Sequence, residues 1–312
     1  MKNQTIFYEF VLSSVSDLPS LQLPIFLLFF LIYMLTLIGN LLIFLLIVND
    51  SHLHTPMYFF LGTLACLDMS FSSVTVPRVL FDFLTKNRIL SVQACITQIY
   101  FFVWFAASEI SVLAVMSYDR YIAICLPLHY MKIMSWKRCA HLVSGTLIFG
   151  AVYSLVHTLL LTKLNFCRSN ILHSFLCDLP QLLQISCSDT FINLLIIFLL
   201  GILFGIVILG VTFYPYITII TTVLKIPSIQ MRSKAFSTCS SHLTVVFMFY
   251  ATISFNYFCS TATDHFTKDS GAAIYYAVLT PFLNPLIYSL RNQELKASLR
   301  RALKKVILIA YD

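Results

Sequence analysis

The sequence is poor in charge and in glycine, and both shortages limit what the protein can be. Of its 312 residues, 11% are charged, 8 are glycine and 59% are hydrophobic. A soluble domain carries about a quarter charged residues and fewer than half apolar ones, and the mean hydropathy here is +0.87. This composition excludes a water-soluble enzyme, a disordered tail and a small disulfide-rich domain. The sequence also lacks a polar linker, an internal repeat and a low-complexity tract.

Long apolar runs occur from one end of the chain to the other. A helix of about 20 apolar residues spans a bilayer, and lipid cannot hydrogen-bond a bare backbone, so spanning segments of this length fold as helices. Residues 26–37 do not alternate between polar and apolar types, as membrane strands do. Seven runs are long enough, at residues 24–48, 57–81, 92–125, 140–162, 191–224, 236–260 and 271–290. We predict an all-α membrane protein with a seven-transmembrane helix bundle over residues 24–290.

The distribution of lysine and arginine predicts the orientation of the bundle. If the N-terminus lies outside, the cytoplasmic side holds 13 of the 20 basic residues and 4 acids, whereas the outer side holds 7 of each. Cytoplasmic loops of membrane proteins carry the excess of Lys and Arg. We therefore expect an extracellular N-terminus and a cytoplasmic C-terminus. The net charge of +7 is a topology signal, and no nucleic-acid partner is expected.

The first 23 residues lack the basic, apolar and small-residue order of a cleavable signal peptide. We expect residues 1–23 to form the extracellular N-terminus. Asn3 begins the N-glycosylation sequon Asn-Gln-Thr, and Asn49 begins a second sequon just after the first apolar run. We expect a sugar on Asn3 alone, because Asn49 would face the cytoplasm.

Residues 291–312 predict a short, amphipathic eighth helix and tail on the cytoplasmic side. Apolar residues and cations recur there at helical spacing, namely Leu295, Leu299, Leu303 and Val306 against Lys296, Arg300, Arg301, Lys304 and Lys305. This spacing puts leucines on one face and cations on the other, as in a helix that lies on the anionic lipids of the inner leaflet. A solvated basic tail is the alternative.

Four of the nine cysteines lie on the outer side of the membrane in the predicted topology. They are Cys95, at the start of the third run, and Cys167, Cys177 and Cys187, in the loop between the fourth and fifth runs. The outside is the oxidising compartment, so these four are the candidates for disulfides. Four cysteines allow three pairings, and spacing alone does not choose among them. No pair of Cys or His residues has the spacing of a zinc site.

A few polar residues interrupt the apolar runs. Asp68 lies in the second run and Glu109 in the third, while Asn40 and Asn284 add uncharged polar groups in the first and seventh. Ionisable residues inside a span are costly and mark functional sites by default. Glu109 and Arg120 share one helix face, about 16 Å apart along the axis. The two acids could hold a cation or a proton, or be protonated structural groups. Arg120 could be a switch or an interfacial arginine.

The acids inside the apolar runs raise two functional classes of membrane protein. The first is an ion- or proton-coupled transporter that uses Asp68 and Glu109, and the second is an intramembrane enzyme. Transporters often show paired half-repeats and broken helices, and the sequence has no such symmetry. It also lacks His-Glu-x-x-His, Gly-x-Gly-Asp and a Ser/His pair at a telling spacing. We expect no enzymatic activity, and an ion- or proton-coupled transporter stays open as an alternative function.

Motifs that follow one another along the chain resemble those of the olfactory receptors, a branch of the rhodopsin-like G-protein-coupled receptors. They are residues 39–40 (GN), 53–61 (LHTPMYFFL), 116–125 (MSYDRYIAIC), 127–130 (PLHY), 234–242 (KAFSTCSSH) and matches within 281–292 (PFLNPLIYSLRN). One motif alone would prove little, but together they cover nearly the whole chain. Two departures are the fourth run, which has no Trp, and Phe213, which precedes Tyr214 where the family more often has Ser.

The resemblance implies a multi-pass receptor of the plasma membrane with two disulfides. Cys95–Cys177 would tie the third helix to the outer loop, and Cys167–Cys187 would close a second bond within that loop. Asp68 and Glu109 fall where the family has its sodium pocket, so an allosteric sodium ion is the one cofactor implied.

The resemblance also implies a switch at the cytoplasmic end of the bundle. Asp119 would restrain Arg120 at rest, and Arg120 would face a heterotrimeric G protein in the active state. The G protein would be of the stimulatory, olfactory type, which raises cAMP. Four other residues are implied in this switch. Tyr121 directly follows Arg120, and Lys234 lies on the moving end of the sixth helix. Tyr214 and Tyr288 would swing towards Arg120.

The predicted ligand pocket lies in the outer half of the bundle. Residues 100–108 contain no carboxylate, and an ammonium ligand needs an anion to replace the water that it loses. By resemblance that anion would sit at Phe102, so an amine is disfavoured. Retinal needs a lysine in the seventh run, and residues 271–290 contain none. A small, neutral, largely apolar and volatile odorant remains. The candidate contacts are Phe102, Val103, Ala106, Ala107, Phe198, Ile202, Tyr250, Ser254 and Tyr257.

Overall fold

The computed structural model describes residues 6–14, 18–225, 228, 230, 232, 243–248, 250–251 and 275–311. Within these residues, five helices are long and apolar enough to cross a membrane. The first to fifth spans are Pro19–Asn49, Pro56–Thr85, Val92–Cys125, Trp136–Leu161 and Phe191–Leu224. Residues 243–248, 250 and 251 are helical and belong to the predicted sixth span, most of which lies outside the described residues. The described part of the seventh span is a π-helical turn, Tyr275–Leu279, followed by the α-helix Thr280–Arg291.

Short elements connect the spans, and the inner (cytoplasmic) and outer ends of the bundle are named after the predicted orientation. A 3₁₀ turn, Ser51–Leu53, forms the first inner loop, and a second one, Pro127–His129, leads into the one-turn helix Tyr130–Ile133 in the second inner loop. The helix Leu179–Ile185 lies in the outer loop before the fifth span. Proline lies in the first turn of the second span, of the turn Pro127–His129 and of the helix Leu179–Ile185. Its missing N–H costs no hydrogen bond there, because the first N–H groups of a helix have no intrahelical partner.

A small sheet covers part of the outer mouth of the bundle, and the all-α prediction did not include it. Its central strand β1, Glu9–Leu12, pairs antiparallel with β2, Ile89–Ser91, and parallel with β3, Ile171–Leu172. Phe10 and Leu12 of β1 are fully buried. They pack in a cluster with both cysteines of the Cys95–Cys177 disulfide, so the N-terminal segment is fixed to the outer loop.

The third span is the centre of the bundle and packs closely against the fourth. The indole Nε1 of Trp104 donates a hydrogen bond of 2.9 Å to the carbonyl oxygen of Leu147. One turn outward, the hydroxyl of Ser154 donates a bond of 2.6 Å to the carbonyl oxygen of Tyr100. Gly150 lies between these two contacts, with Trp104 against it. Small residues at such crossings let helix backbones approach in lipid, which explains the glycine.

The amphipathic helix, Gln293–Tyr311, follows the seventh span directly. Its residues Leu295 and Ser298 are buried, and Leu299 packs on the core of the bundle. The Arg301 guanidinium donates bonds of 3.1 and 2.7 Å to one carboxylate oxygen of Asp50. The nearby Ser298 hydroxyl, together with hydrogen bonds from Arg301 and His52, holds the pKa of Asp50 well below its ordinary value. The helix is therefore attached to the first inner loop.

Candidate functional site

A polar cluster lies at the centre of the bundle, where the second, third and seventh spans meet. Asp68 and Glu109 are both buried, and their carboxyl groups are hydrogen-bonded to each other. The Asn284 amide donates a bond of 2.9 Å to Asp68 Oδ1. Within the described part of the chain, Oε1 of Glu109 has no hydrogen-bond partner. The structure thus brings together the two acids for which the resemblance implies one sodium pocket, and it adds Asn284, which lies 216 positions from Asp68 in the sequence.

The first span is attached to the seventh beside this cluster. The amide of Asn40 donates to the Thr36 carbonyl at 3.0 Å and to the Pro281 carbonyl at 3.2 Å. The Thr75 hydroxyl of the second span lies 3.4 Å from the carbonyl of Ala277 in the π-helical turn. Helical irregularities such as this turn free backbone carbonyls and occur often at functional sites. Here Thr75 lies near the Ala277 carbonyl of the turn. The Pro281 carbonyl belongs to the following α-helix, and it is available to Asn40 because Pro285 has no N–H to donate to it.

At the cytoplasmic end, a buried carboxylate holds the arginine that follows it. Asp119 is completely buried, and its Oδ2 accepts a charge-assisted hydrogen bond of 2.7 Å from Nη2 of Arg120. Its Oδ1 accepts a second bond, of 2.8 Å, from the hydroxyl of Tyr130 in the second inner loop. Burial and the neighbouring Asp119 raise the pKa of Tyr130 above its ordinary value, so this hydroxyl stays a donor. Both oxygens of the carboxylate are thus satisfied.

Tyr288 lies between the central cluster and this ion pair. Its side chain is buried, and it interacts electrostatically with Asp68 and with Arg120. Among the described residues, no group forms a hydrogen bond with the Tyr288 hydroxyl. Farther towards the cytoplasm, the Tyr58 hydroxyl donates a bond of 3.1 Å to Asn292, at the end of the seventh span. Polar side chains therefore extend from the middle of the bundle to its cytoplasmic end.

The structure places Tyr216, and not Tyr214, on the inner face of the fifth span. Tyr214 is 69% exposed, whereas Tyr216 is 3% exposed and interacts with Tyr288. Two residues along a helix are about 200° apart, so the two tyrosines face opposite sides. Tyr216 packs with Tyr121, which the sequence did assign to the switch. The assignment of Tyr214 from the motif is therefore corrected to Tyr216.

The inward stripe of the fifth span could have revealed this from the sequence. The residues Thr212, Tyr216, Ile219 and Val223 recur at spacings of four, three and four, and all four are buried. Such spacing is typical of one helix face. Phe213, which precedes Tyr214, lies outside this stripe. With Tyr216 as the tyrosine of the switch, the preceding residue is Pro215.

The predicted pocket residues of the third span point in different directions. The ring of Phe102 lies 4.9 Å from that of Phe71 in the second span, and Ala106 packs against the same core. Ala107 is buried. Val103 instead packs on the cluster beneath the outer sheet. The third span thus contributes to the bundle interior at several of the predicted positions.

The predicted contacts of the fifth span do not face that interior. Phe198 is 65% exposed and Ile202 is 45% exposed, because neither lies on the inward stripe of this helix. Ile197 and Phe204 pack against the bundle in their place. We correct the predicted pocket accordingly and omit Phe198 and Ile202 from it.

The remaining predicted residues divide between described and undescribed parts of the chain. The hydroxyl of Tyr250 lies 3.4 Å from that of Thr212 in the fifth span, so it faces the bundle. Four predicted residues, Asn3, Lys234, Ser254 and Tyr257, lie outside the described residues.

Both implied disulfides are present in the structure. Cys95–Cys177 joins the outer end of the third span to the outer loop, and Cys167–Cys187 lies within that loop. The backbone N–H of Cys177 also donates to Gln98 of the third span at 3.2 Å. These bonds fix the loop over the outer half of the bundle.

Comparison with known proteins agrees with this architecture over the whole chain. A family model described as "Olfactory receptor" matches residues 29–306. The chain is 47% identical over 300 residues to olfactory receptor 1G1 of Gorilla gorilla gorilla, covering 96% of each protein. It is 44% identical over 308 residues to olfactory receptor 5B12 of Homo sapiens, covering 98% of this chain and 97% of that one.

The fold is also that of a solved receptor. Squid rhodopsin superposes with a TM-score of 0.67 at 16% identity, over 94% of this chain and 88% of that one. The predicted helix bundle is thereby confirmed, and the transporter alternative has no support. The chain therefore belongs to the olfactory receptor family, and it is a multi-pass plasma-membrane receptor of the rhodopsin-like, non-enzymatic class.

Proposed function

We propose that this receptor binds a small, neutral, largely apolar odorant in the outer half of the bundle and activates a stimulatory G protein, which raises cAMP. The observation that carries the proposal is the pairing of Arg120 with the buried Asp119 at the cytoplasmic end. A charged group held at the inner mouth of a bundle is a natural two-state element. Its release would expose a cation to a partner in the cytoplasm.

The chemistry of the third span supports a neutral ligand. Its outer half, residues 100–108, is aromatic and aliphatic and ends at the buried Ser108. Burying a ligand's carbon skeleton contributes about 25 cal/mol per Å² before the costs of association. We propose Phe102, Val103, Ala106, Ala107 and Tyr250 as contacts, with hydroxyls from Ser254 and Tyr257. Each of those hydroxyls would add about 0.5–1.5 kcal/mol through a hydrogen bond.

An odorant activates the receptor only if it binds the active conformation more tightly than the resting one. A typical coupling free energy of about 1–3 kcal/mol shifts the populations about 5–150-fold. Tyr288 interacts electrostatically with both the central cluster and Arg120. We propose that Tyr216 and Tyr288 move towards Arg120 on activation, with Tyr121 and Lys234 facing the G protein.

The central cluster fits a single sodium ion. Hard cations prefer oxygen ligands, and Oε1 of Glu109 is a buried oxygen without a hydrogen-bond partner among the described residues. Asp68 and Glu109 would supply the carboxylate oxygens. A bound cation would neutralise their charge, whereas without it the hydrogen bond between the two acids requires a proton on one of them. Either occupant would favour the closely packed resting state.

Leu128 offers a contact for the G protein in the second inner loop. Its side chain is 95% exposed, and the loop also carries Tyr130, which holds Asp119. Leu126 and Met131, close to it in the sequence, are also exposed, and a group of exposed apolar side chains is typical of an interaction site. We expect Leu128→Ala to raise the odorant EC50 about tenfold, because the complex would lose most of the burial free energy of a leucine.

The matched control for Leu128 is Leu84→Ala, at the outer end of the second span, where the leucine is also largely exposed. Both variants should reach the cell surface at the wild-type level. Dose–response curves of cAMP that coincide for Leu128→Ala and Leu84→Ala would exclude Leu128 from the G-protein contact.

A heterologous cAMP assay against a broad panel of volatiles tests the proposed function as a whole. The wild-type receptor should respond to one or more neutral odorants, and the response should require a co-expressed stimulatory olfactory-type G protein. Antibodies should reach an N-terminal tag on intact cells and a C-terminal tag only after permeabilisation. A well-expressed receptor that responds only through another class of G protein would contradict the proposal.

A further inference from the structure

His157 is a buried polar side chain that belongs neither to the central polar cluster nor to the Asp119–Arg120 pair. It lies in the outer half of the fourth span and is 4% exposed. Among the described residues, its Nδ1 atom has no hydrogen-bond partner. A buried polar atom that forms no hydrogen bond costs about 1–3 kcal/mol. An Nδ1 atom that is buried and lacks a partner among the described residues could therefore accept a hydrogen bond from a bound ligand or donate one to it.

The neighbours of His157 on the same helix already have partners. The Ser154 hydroxyl donates to the Tyr100 carbonyl at 2.6 Å, and the Thr158 hydroxyl donates to the Ser154 carbonyl at 3.0 Å. One turn inward, the ring of Tyr153 meets the imidazole edge to face, with ring centroids 4.7 Å apart. This contact fixes the plane of the imidazole but does not satisfy its nitrogen.

His157 lies near the junction of the third, fourth and fifth spans. The fourth span packs against the third through Ser154, and Tyr153 packs against Phe204 of the fifth span with ring centroids 5.3 Å apart. His157 is one helical turn outward from this level, so it lies where the third, fourth and fifth spans come together below the outer loop. Small-molecule sites in helix bundles form between helices in this way, with few polar groups among apolar ones.

We infer that His157 is the polar anchor of the odorant pocket and that it selects ligands with an oxygen function, such as an aldehyde, ketone or alcohol. This inference deepens the proposed function and rests on it. A neutral imidazole has one N–H donor and one acceptor nitrogen. It can therefore donate to a carbonyl oxygen or exchange a hydrogen bond with a hydroxyl, and it offers nothing to a hydrocarbon.

The test compares three variants of the full-length receptor. His157→Phe keeps a ring against Tyr153 but removes both nitrogens, and His157→Asn places a polar atom near the position of Nδ1. Thr158→Val is the matched control, since the Thr158 hydroxyl is already bonded within its own helix. The probes are medium-chain aliphatic and small aromatic aldehydes, ketones and alcohols, together with hydrocarbons of the same skeletons. Surface expression is measured for every variant.

We expect His157→Phe to raise the EC50 of oxygenated agonists about tenfold, because the oxygen of the bound agonist would lose its buried hydrogen bond to the imidazole. His157→Asn should recover part of this loss, and Thr158→Val should leave the EC50 unchanged. A wild-type EC50 in His157→Phe would overturn the inference, as would a wild-type receptor that responds only to hydrocarbons.

A second measurement separates this inference from the proposed signalling. The same probes are added to purified receptor in lipid nanodiscs, and the shift in thermal unfolding temperature is recorded. Oxygenated probes should stabilise the wild type more than His157→Phe. If they do so while cells produce no cAMP, the proposed G-protein pathway fails and the role of His157 stands. If no oxygenated probe stabilises the wild-type receptor, the role of His157 is refuted.

Discussion

Replacing Arg120 with alanine should abolish the odorant-evoked cAMP response while leaving surface expression close to the wild-type level. Arg120 pairs with Asp119 at 2.7 Å, but its side chain is not fully buried. The other oxygen of Asp119 keeps its bond from Tyr130, so the variant leaves a partly satisfied carboxylate. Folding should tolerate this loss, whereas a G protein that contacts the cation would lose its partner. The measurement is cAMP against odorant dose, normalised to surface receptor.

Two further variants make the result for Arg120 interpretable. Arg138→Ala removes an exposed cation on the same side of the membrane, whose one described hydrogen bond goes to the Ile133 carbonyl, and it should signal normally. Asp119→Asn removes the charge that restrains Arg120, and it should raise basal cAMP. A normal odorant response from well-expressed Arg120→Ala would remove Arg120 from the switch. Unchanged basal cAMP in Asp119→Asn would argue against the restraint.

The spans were largely predictable because each of them depends on local composition. The third and fifth spans have the predicted bounds, residues 92–125 and 191–224. The first two spans begin at a proline, a start signal that hydropathy does not register. The first span begins at Pro19, five residues before the predicted start, and the second continues to Thr85, where Lys86 takes a left-handed conformation.

The outer sheet could not be predicted because it depends on non-local pairing. Its strands have four, three and two residues, and they come from three separate segments of the chain. No alternation of polar and apolar residues develops over such lengths. The strands pack instead through tertiary contacts, since Phe10, Leu12 and Leu172 lie in one buried cluster with the Cys95–Cys177 disulfide. Spacing alone had left the pairing of the outer cysteines open.

Motif matching located the functional regions but not the direction of each side chain. It placed Asp119 and Arg120 in one switch, and the structure pairs their side chains at 2.7 Å; their role in signalling stays a prediction. It failed for Tyr214, since a shift of two residues moves a side chain to the opposite face of a helix. It also gave no reason to single out Leu128 or His157, which became notable only through their exposure and their missing hydrogen bond.

Gly150→Ala should reduce surface expression strongly, because the third and fourth spans leave no space for a methyl group at this position. A Cβ there would overlap with the Ser108 hydroxyl, and it would lie 2.9 Å from the Trp104 carbonyl oxygen. That oxygen belongs to the backbone and cannot rotate away. The helices would have to separate, which would weaken the bonds from Trp104 to Leu147 and from Ser154 to Tyr100. Overpacking of this kind costs about 1–3 kcal/mol.

Gly145→Ala is the matched control on the same helix, since among the described residues nothing lies within 4 Å of a Cβ added there. It should reach the surface at the wild-type level, because alanine also favours the helix over glycine. Combining Gly150→Ala with Ser108→Gly removes the overlapping hydroxyl and should restore part of the expression. Flow cytometry on intact cells carrying an N-terminal tag measures all of these variants. Equal surface levels for Gly150→Ala and Gly145→Ala would mean that the third and fourth spans do not pack this closely. The contacts of Trp104 with Leu147 and of Ser154 with Tyr100 would then be wrong as well.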